Sequence, residues 1–259
     1  MPTSGGLNIF NRMCIYIYLY GLLYEQQYEF YMNGGITIGS FLPTGCTPID
    51  TLLGGGIEGG IVTQVYGEPG SGKTNLCLQI AIECSKAGKK VIYIDTEGLS
   101  FDRFSQIAGE KSKEIAQNIL IFEPMSFEEQ YAAVCEAEKI IQENFGLIVV
   151  DSATSYYRYE LDDEETGVQT RRELSNQIGF LQGIARKTGI PVLITNQIFS
   201  DIDNGGVRPI GGRGIEHISK TILKLERVGT GERAAHIIKH RCRPEGENCY
   251  FTITEDGLR

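Results

Sequence analysis

The chain has 259 residues, of which 41% are hydrophobic, and its formal net charge is -9. This length supports one main domain with a sizeable core. The negative charge excludes a protein whose whole surface attracts nucleic acid, so any DNA contact must come from a local basic cluster. Seven cysteines without a CxxC pair indicate a reducing cytoplasm and disfavour a structural zinc site.

Residues 1–31 differ in composition from the rest of the chain, because they hold six of its thirteen tyrosines. Their apolar stretch, about twelve residues, is shorter than the roughly twenty that span a bilayer. Two explanations remain open: an appended aromatic strand that docks on another surface, or translated sequence upstream of a true start at Met32. The clean beginning MNGGITIGSF favours the second. We therefore expect an atypical extension over 1–31 and one core over 32–259.

The run GEPGSGKT, residues 67–74, fills every position of the phosphate-loop pattern GxxxxGK[ST]. A predicted strand over 61–66 precedes it and a predicted helix over 74–87 follows, which disfavours an ordinary glycine-rich turn. Lys73 can reach the β and γ phosphates of ATP, and the Thr74 hydroxyl suits Mg²⁺, so we predict both cofactors. The predicted binding residues are Gly67, Glu68, Pro69, Gly70, Ser71, Gly72, Lys73, Thr74 and Asn75.

Further apolar runs predict buried parallel strands over 90–95, 119–123, 147–151 and 191–197. Helical patterns lie between them, notably over 126–143 and 169–188. After Gly214, three β-rich segments separated by turn residues predict an antiparallel meander that extends the sheet. The pattern is that of a doubly wound α/β core, with a mostly parallel twisted sheet flanked by helices and antiparallel strands at its C-terminal end.

Polar side chains follow three of the predicted strands. Asp151 ends LIVVD, where a carboxylate can hold the Mg²⁺ water shell opposite Thr74. Glu97 follows VIYID and can orient and partly deprotonate the attacking water, so it is our candidate general base; a turn or helix-start carboxylate is the alternative. Gln197 ends PVLITNQ and can bond the γ phosphate, so it is a candidate sensor; a strand-end cap is the alternative.

Two predicted loops contain the arginines that are the best candidates for DNA contact. The loop over 156–172 holds three arginines but also five acidic residues, which repel phosphate. The loop over 198–212 is glycine-rich and is the better candidate, while a solvated loop explains it equally well. The DNA-binding candidates are Arg208, Arg213, Arg171 and Arg172.

Histidines and cations lie close together near the C-terminal end. The set of residues that most resembles a group of metal ligands is His236, His240, Cys242 and Cys249. The alternation in AAHIIKHR instead predicts a strand with both histidines on one face, which disfavours metal binding. Lys239 and Arg241 lie on the same predicted strand, so their side chains should point the same way. An exposed cationic strand face is one explanation of this pair, and a functional role is the other.

The motifs GEPGSGKTNLCLQIA, YIDTEG, LIVVDSAT, RRELSNQ, VLITNQ and PIGG occur in this order. Together they resemble the RecA-type recombinase core of the archaeal and eukaryotic branch, over residues 40–259. The segments GRGIEHISKTILKLE, KHRCRPEG and FTITEDGL are similar to the RadB family, short archaeal paralogues of the recombinase RadA. The resemblance implies a RecA-like P-loop ATPase core that binds ATP and DNA in DNA repair and homologous recombination. It also implies very weak ATP hydrolysis, no stimulation by DNA and no strand exchange.

The same resemblance implies partners and residue roles. The partners are single-stranded or branched DNA, the RadA recombinase and the Holliday-junction resolvase Hjc, in the cytoplasm. Lys239 and Arg241 resemble a finger that enters the nucleotide site of a neighbouring subunit. The catalytic candidates are therefore Glu97, Lys73, Gln197, Lys239 and Arg241. His217 matches a position that faces the nucleotide across a subunit interface, and a structural histidine is the alternative.

Three other functions fit the sequence less well. A DNA-dependent ATPase recombinase that forms filaments would need a helical DNA-binding domain and a Phe-x-x-Ala peptide ahead of the core. Only 66 residues precede Gly67, and residues 1–60 contain no such tetrapeptide. A small-molecule kinase would leave Glu97, Gln197 and the C-terminal strands without a role. A KaiC-like signalling ATPase shares the Lys-x-Arg pair but fits the single domain and the ITNQ ending less well.

Overall fold

A nine-stranded sheet runs through the residues that the computed structural model describes, which are 41–160, 167–201 and 206–259. The expected extension over 1–31 lies outside them. The strands are β1 (Phe41–Leu42), β2 (Ile57–Glu58), β3 (Val62–Gly67), β4 (Lys90–Asp95), β5 (Ile119–Phe122), β6 (Phe145–Asp151), β7 (Val192–Asn196), β8 (Ile198–Asp201), β9 (Gly206–Pro209), β10 (Thr221–Arg227), β11 (Glu232–Lys239), β12 (Asn248–Thr254) and β13 (Gly257–Leu258). The helices are α1 (Thr47–Leu53), α2 (Lys73–Lys86), α3 (Phe101–Ala108), α4 (Ser112–Ala116), α5 (Phe127–Ile140), α6 (Ser155–Glu160), α7 (Gly167–Thr188) and α8 (Gly212–Ile218), with a 3₁₀ turn at Gly109–Lys111.

The strand order of the main sheet is β13-β12-β11-β10-β3-β7-β6-β4-β5. The strands from β10 to β5 in this order run parallel to one another. β11, β12 and β13 continue the sheet with antiparallel pairing. This arrangement confirms the predicted mixed sheet and its C-terminal meander. Two short antiparallel pairs, β1 with β2 and β8 with β9, form separate sheets.

Helices cover both faces of the sheet, which is why the central strands are buried throughout instead of alternating between buried and exposed residues. One hydrophobic core includes side chains of α1, α2 and α3, and the other includes side chains of α5, α7 and α8. Along β3, Val65 enters the first core and Val62 the second. Every residue of β3 and β7 is buried as a result.

The boundaries between α5 and β6 differ from the prediction. The helix ends before Ile141, whose backbone is extended, three residues earlier than predicted. The strand begins at Phe145, two residues earlier, and therefore includes Gly146. A side chain at Gly146 would lie 2.7 Å from Cys84 Sγ of α2 and 2.8 Å from Cβ of Lys89. Glycine here lets the sheet and α2 approach closely. Because glycine has no apolar side chain, the apolar run in the sequence begins only after it, and the start of the strand was placed too late.

Strand β13 is fastened to the middle of α2 by Gln79. The Leu258 N–H donates to Gln79 Oε1 at 2.6 Å, and Gln79 Nε2 donates to the Leu258 carbonyl at 3.2 Å. Both residues are buried, so breaking either bond would leave a polar group without water. The last described strand is thus part of the packing of the helix that follows the phosphate loop.

Four parallel strands bring their ends together at one edge of the sheet. β3, β7, β6 and β4 are adjacent in this order, and their last residues are Gly67, Asn196, Asp151 and Asp95. In open α/β sheets, ligands bind beyond the carboxyl ends of the strands. This edge therefore carries the candidate site. None of the described helices has the length and apolar character needed to cross a membrane.

Candidate functional site

The phosphate loop, residues 67–74, leaves β3 and leads directly into α2, as predicted. Gly67 pairs with Leu225 of β10, and any side chain at Gly67 would collide with the Leu225 carbonyl. Gly72 has a φ of +105°, in the left-handed region that favours glycine, and it precedes the first turn of α2. Glycine is therefore required at Gly67 because β10 approaches closely, and at Gly72 because the backbone enters α2 with a positive φ.

Lys73 turns back over the loop. Its ammonium donates hydrogen bonds to the carbonyl oxygens of Gly67 at 2.9 Å and Glu68 at 3.2 Å. Burial lowers the pKa of Lys73, and the nearby Glu97 and Asp151 carboxylates oppose that shift. The ammonium lies where it can exchange the two loop carbonyls for oxygens of a phosphate.

Asp151 is buried at the end of β6 with both carboxylate oxygens bonded. Thr195 donates to Oδ1 at 2.6 Å and Tyr93 donates to Oδ2 at 3.0 Å. Burial raises the pKa of Asp151, while hydrogen bonds from Thr195, Thr74 and Tyr93 oppose the rise. The Thr74 hydroxyl and the Asp151 carboxylate are therefore adjacent, and both are oxygen ligands of the kind that Mg²⁺ binds directly or through water. This donor set fits the predicted metal.

The side chains of Glu97 and Gln197 contact each other near the carboxyl end of β6. Gln197 Nε2 donates to Glu97 Oε1 at 3.0 Å, and the Ser155 hydroxyl donates to the same oxygen at 3.1 Å. The predicted base and the predicted sensor are therefore in direct contact. Glu97 also lies near the end of β6, because the N–H of the preceding residue, Thr96, donates to the Asp151 carbonyl at 2.9 Å.

Asp95 shapes the loop that carries Glu97, and sequence reasoning missed it. Its Oδ1 accepts the N–H groups of Glu97 at 3.1 Å and Gly98 at 3.0 Å, and its Oδ2 accepts the N–H of Leu99. The signal was present in the sequence, because an aspartate directly after a buried strand commonly bonds the next backbone N–H groups in a turn.

Arg103 of α3 was also missed. Its Nε donates to Asn75 Oδ1 at 2.6 Å, next to the phosphate loop. Its terminal nitrogens donate to the carbonyl oxygens of Thr254 and Glu255, each at 2.8 Å. Arg103 therefore connects the predicted binding residue Asn75 with the turn between β12 and β13. No local pattern marks these contacts, because Asn75 lies 28 residues earlier in the chain and the two carbonyls lie more than 150 residues later.

The second predicted DNA loop is partly a two-stranded ribbon, formed by β8 and β9, so the prediction of an irregular loop is wrong for the paired residues. Phe199 lies opposite Arg208, and Ile198 lies opposite Pro209. Pro209 is buried, whereas Phe199 is 48% exposed. Residues 202–205 lie outside the described part of the chain.

Gln197 connects this ribbon with the nucleotide site. Its carbonyl accepts the Ile210 N–H at 2.8 Å, directly after β9. Its own N–H donates to Thr154 Oγ1 at 3.1 Å. The side chain of Gln197 therefore contacts Glu97 while its backbone closes the base of the ribbon.

Comparison with known proteins agrees with this geometry. The family model described as Rad51 matches residues 40–259. The DNA repair and recombination protein RadB of Methanococcoides burtonii is 66% identical over 223 residues, which cover 86% of this chain and 99% of that protein. The chain belongs to the RadB family.

Other RadB proteins support the same family. Those of Methanoculleus marisnigri and Archaeoglobus fulgidus are 48% and 46% identical and cover 83% and 84% of this chain. The matches span 96% and 97% of those proteins. A crystal structure of the RadB recombinase matches with a TM-score of 0.73 and 38% identity, over 84% of this chain and 98% of that chain. The predicted resemblance and the RecA-like fold are confirmed, and the family is one of ATP- and DNA-binding proteins of DNA repair and recombination.

In this RadB-family chain, the four arginines predicted to bind DNA lie on three elements. Arg208 is on β9, Arg213 is on α8, and Arg171 and Arg172 are on α7, so the last two are helical and not in a loop. All four are exposed. Arg171 also bonds the Tyr157 hydroxyl, which opposes the rise that burial causes in the pKa of Tyr157.

The prediction that Lys239 and Arg241 point the same way is wrong, because β11 ends at Lys239. The Lys239 ammonium donates to the Glu216 and Ser219 carbonyls, each at 2.7 Å, at the carboxyl end of α8. Burial lowers the pKa of this lysine. Arg241 instead pairs with Glu58 of β2 at 3.2 Å. Within one RadB chain, the two cations therefore contact different elements.

His217 is exposed on α8 and lines a cavity of about 430 Å³. Tyr66, Arg213 and Lys239 line the same cavity. Tyr66 lies on β3 immediately before the phosphate loop, and burial raises the pKa of its hydroxyl. The exposure of His217 favours the interpretation of an interface residue over that of a packed structural histidine.

Proposed function

We propose that this RadB-family chain uses bound nucleotide as a switch for its affinity for DNA and for recombination proteins, while hydrolysing ATP very slowly. The observation that carries the proposal is the position of Gln197. Its side chain bonds the Glu97 carboxylate, and its backbone bonds both Thr154 and the residue after the β8–β9 ribbon. A change at the γ phosphate that moves Gln197 would therefore also move the ribbon.

The nucleotide would bind at the phosphate loop. The loop N–H groups and Lys73 would hold the phosphates, and Thr74 with Asp151 would hold Mg²⁺ or its water shell. When bound, Mg²⁺ neutralises charge that develops on the transferred phosphoryl group. Glu97 would orient the attacking water and accept its proton.

The contacts of Glu97 support slow turnover. Ser155 and Gln197 both donate to its Oε1, so this oxygen is already engaged on two sides. The two bonds fix the carboxylate in one orientation, so Glu97 would act as a base only on a water that reaches its Oε2. We propose that DNA does not promote this change and that the chain does not exchange strands by itself.

DNA would bind on the surface that contains the ribbon and the start of α8. Arg208 and Arg213 supply positive charge there, and Phe199 supplies an exposed aromatic face opposite Arg208. Base stacking on an aromatic ring beside an arginine is the usual arrangement for single strands. Arg171 and Arg172 would extend this surface along α7.

The partners that we propose are single-stranded or branched DNA, the RadA recombinase and the resolvase Hjc, in the cytoplasm. Lys239 and Arg241 would serve hydrolysis only from a neighbouring copy of the chain. Their contacts within the chain, with α8 and with Glu58, support this restriction.

ATP turnover with and without single-stranded DNA tests the proposal, with Lys73→Ala to subtract contaminating activity. Slow turnover that DNA leaves unchanged is expected, and Glu97→Gln should lower it about 100-fold or more while nucleotide still binds. Strong stimulation by DNA would instead favour a DNA-dependent recombinase.

A further inference from the structure

The hairpin of β10 and β11 contacts the phosphate loop at two points. Arg233 Nε donates to the Gly70 carbonyl at 3.0 Å. In the opposite direction, Glu68 Oε1 accepts the main-chain N–H of Arg227 at 3.3 Å. Arg227 and Arg233 are partners in the antiparallel pairing of the two strands. Loop and hairpin therefore hold each other, and we call these two contacts the clasp.

The guanidinium of Arg233 is fixed by further bonds. Its Nη1 donates to the carbonyl of Glu232 at 2.8 Å and to that of Gly229 at 3.4 Å. The backbone of Arg233 pairs with Phe251 of β12, so the residue is anchored on both sides within the sheet. A planar fork of donors held in this way fixes the position of its acceptors.

Gly70 is the loop residue that needs such a contact. It has a φ of +75°, and nothing lies within 4 Å of the position that a Cβ would occupy. The peptide group between Gly70 and Ser71 is instead held by its two polar atoms: the Gly70 carbonyl accepts from Arg233, and the Ser71 N–H donates to the Glu68 carbonyl at 3.1 Å. In a trans peptide the C=O and the following N–H point in opposite directions, so a donor on the Gly70 carbonyl also fixes the direction of the Ser71 N–H.

We propose that Arg233 is a positioning residue for nucleoside di- and triphosphate binding, acting within the same chain through Gly70. The inference rests on the proposed binding of ATP at the loop. The Lys73 bonds to Gly67 and Glu68 are given up when its ammonium takes a phosphate, whereas the bond from Arg233 to Gly70 remains. The clasp thus holds the turn from Glu68 to Ser71 in one shape, both when Lys73 bonds the loop carbonyls and when it bonds a phosphate.

Titration calorimetry of the full chain with MgADP and with a non-hydrolysable MgATP analogue tests this role. Arg233→Ala should weaken both affinities about tenfold, the effect of one charge-assisted hydrogen bond. In turnover assays KM should rise while kcat changes less than about twofold, because the contact is equal in ground and transition states. Arg233→Lys keeps the charge without the fork and should recover less than half of the loss on a logarithmic scale.

Arg227→Ala is the matched control, since it removes one cation from the same hairpin but keeps the main-chain N–H that Glu68 accepts. Affinity within about twofold of the wild-type value is expected. Thermal melting without nucleotide checks the fold, and Arg233→Gln replaces Arg233→Ala if the latter does not fold.

Three results would overturn the inference: wild-type affinity in Arg233→Ala, full recovery in Arg233→Lys, or an equal loss in Arg227→Ala. Full recovery in Arg233→Lys or an equal loss in Arg227→Ala would show that the positive charge of the hairpin sets the affinity, and not the planar fork of donors. Lys73→Ala separates these failures from failure of the proposed function. Binding that survives Lys73→Ala unchanged would refute the proposed nucleotide site itself, whereas loss in Lys73→Ala with no effect of Arg233→Ala would refute only the clasp.

Discussion

Glu97 and Gln197 follow strands that are not neighbours, since β6 lies between β4 and β7, yet their side chains meet at 3.0 Å. Asp151, the last residue of β6, lies next to the loop that carries Glu97, because its carbonyl accepts the N–H of Thr96, the residue before Glu97, at 2.9 Å. In the proposed switch, the contact between Glu97 and Gln197 is the point at which nucleotide state would reach the ribbon.

Gln197→Ala should remove the dependence of DNA binding on nucleotide. In the wild type, we expect affinities for labelled single-stranded DNA that differ at least about fivefold between MgADP and an MgATP analogue, as typical coupling energies give. The difference should fall below about twofold in Gln197→Ala, measured by fluorescence anisotropy. Ser155→Ala is the control, because it removes the other donor to Glu97 without touching the base of the ribbon. An unchanged ratio in Gln197→Ala would refute the switch.

Asp151→Asn should stabilise the nucleotide-free protein while it weakens Mg²⁺-dependent binding. Burial raises the pKa of Asp151, so the folded state binds this proton more tightly than the unfolded chain, and the charged carboxylate opposes folding at neutral pH. Asparagine removes the charge and keeps an acceptor for Thr195. The melting temperature should rise by about 2–4 °C for each kcal/mol regained.

The pH dependence of this gain checks its cause. The gain should be full above the raised pKa of Asp151 and should shrink as the pH falls through that pKa towards the ordinary carboxyl range, because the wild type is then protonated as well. Calorimetric scans near neutral pH and at about pH 5 make the comparison. A lower melting temperature of Asp151→Asn at neutral pH would show that hydrogen bonding outweighs desolvation at this site.

Phe199→Ala should weaken binding of single-stranded DNA by about fivefold or more, since stacking of one base contributes about 1–3 kcal/mol. The salt dependence of binding should stay unchanged, because no charge is lost. Arg208→Ala should instead reduce the slope of log affinity against log salt by about 0.7. Val207→Ala is the matched control, since Val207 is exposed on the ribbon but pairs with Ser200 and not with Phe199 or Arg208. Equal affinities of Phe199→Ala and Val207→Ala would argue against stacking.

Gly146→Ala should destabilise the core by about 1–3 kcal/mol, the usual cost of overpacking. The new methyl group would lie 2.7 Å from Cys84 Sγ, so the double variant with Cys84→Ala should show part of the stability restored. Gly183→Ala in α7 has nothing within 4 Å and should leave stability unchanged or raise it by about 0.5–1 kcal/mol. Urea unfolding measures all three, and a Gly146→Ala variant as stable as the wild type would contradict the close packing of β6 on α2.

The sequence predicted those features that local patterns determine. The phosphate loop, the buried strands and the carboxylates at their ends all follow from short runs of residues, and the shared edge of a parallel sheet brings Glu97, Asp151 and Gln197 together. The direct bond between Glu97 and Gln197 was not predicted, because their separation of 100 residues leaves no local signal.

The two failures near the C-terminal end have a tertiary cause. Alternation of apolar and polar residues suggested that the strand continues past Lys239. Instead, the Lys239 ammonium donates to carbonyls at the end of α8, and Arg241 forms an ion pair with Glu58. Arg233 reaches Gly70 across 163 residues, and nothing in its own neighbourhood distinguishes it from other surface arginines. The direction of a side chain at the end of a strand therefore depends on which hydrogen-bond acceptors from distant parts of the sequence lie near it in the fold.

The bonds between Gln79 and Leu258 join residues 179 apart in the chain. Pairings of such high sequence separation form late when a chain folds, because the entropy of closing a long loop must be offset first. The packing of α2 behind the phosphate loop is therefore complete only when β13 has docked on Gln79. A nucleotide that binds the loop would then preferentially stabilise molecules in which this strand is in place.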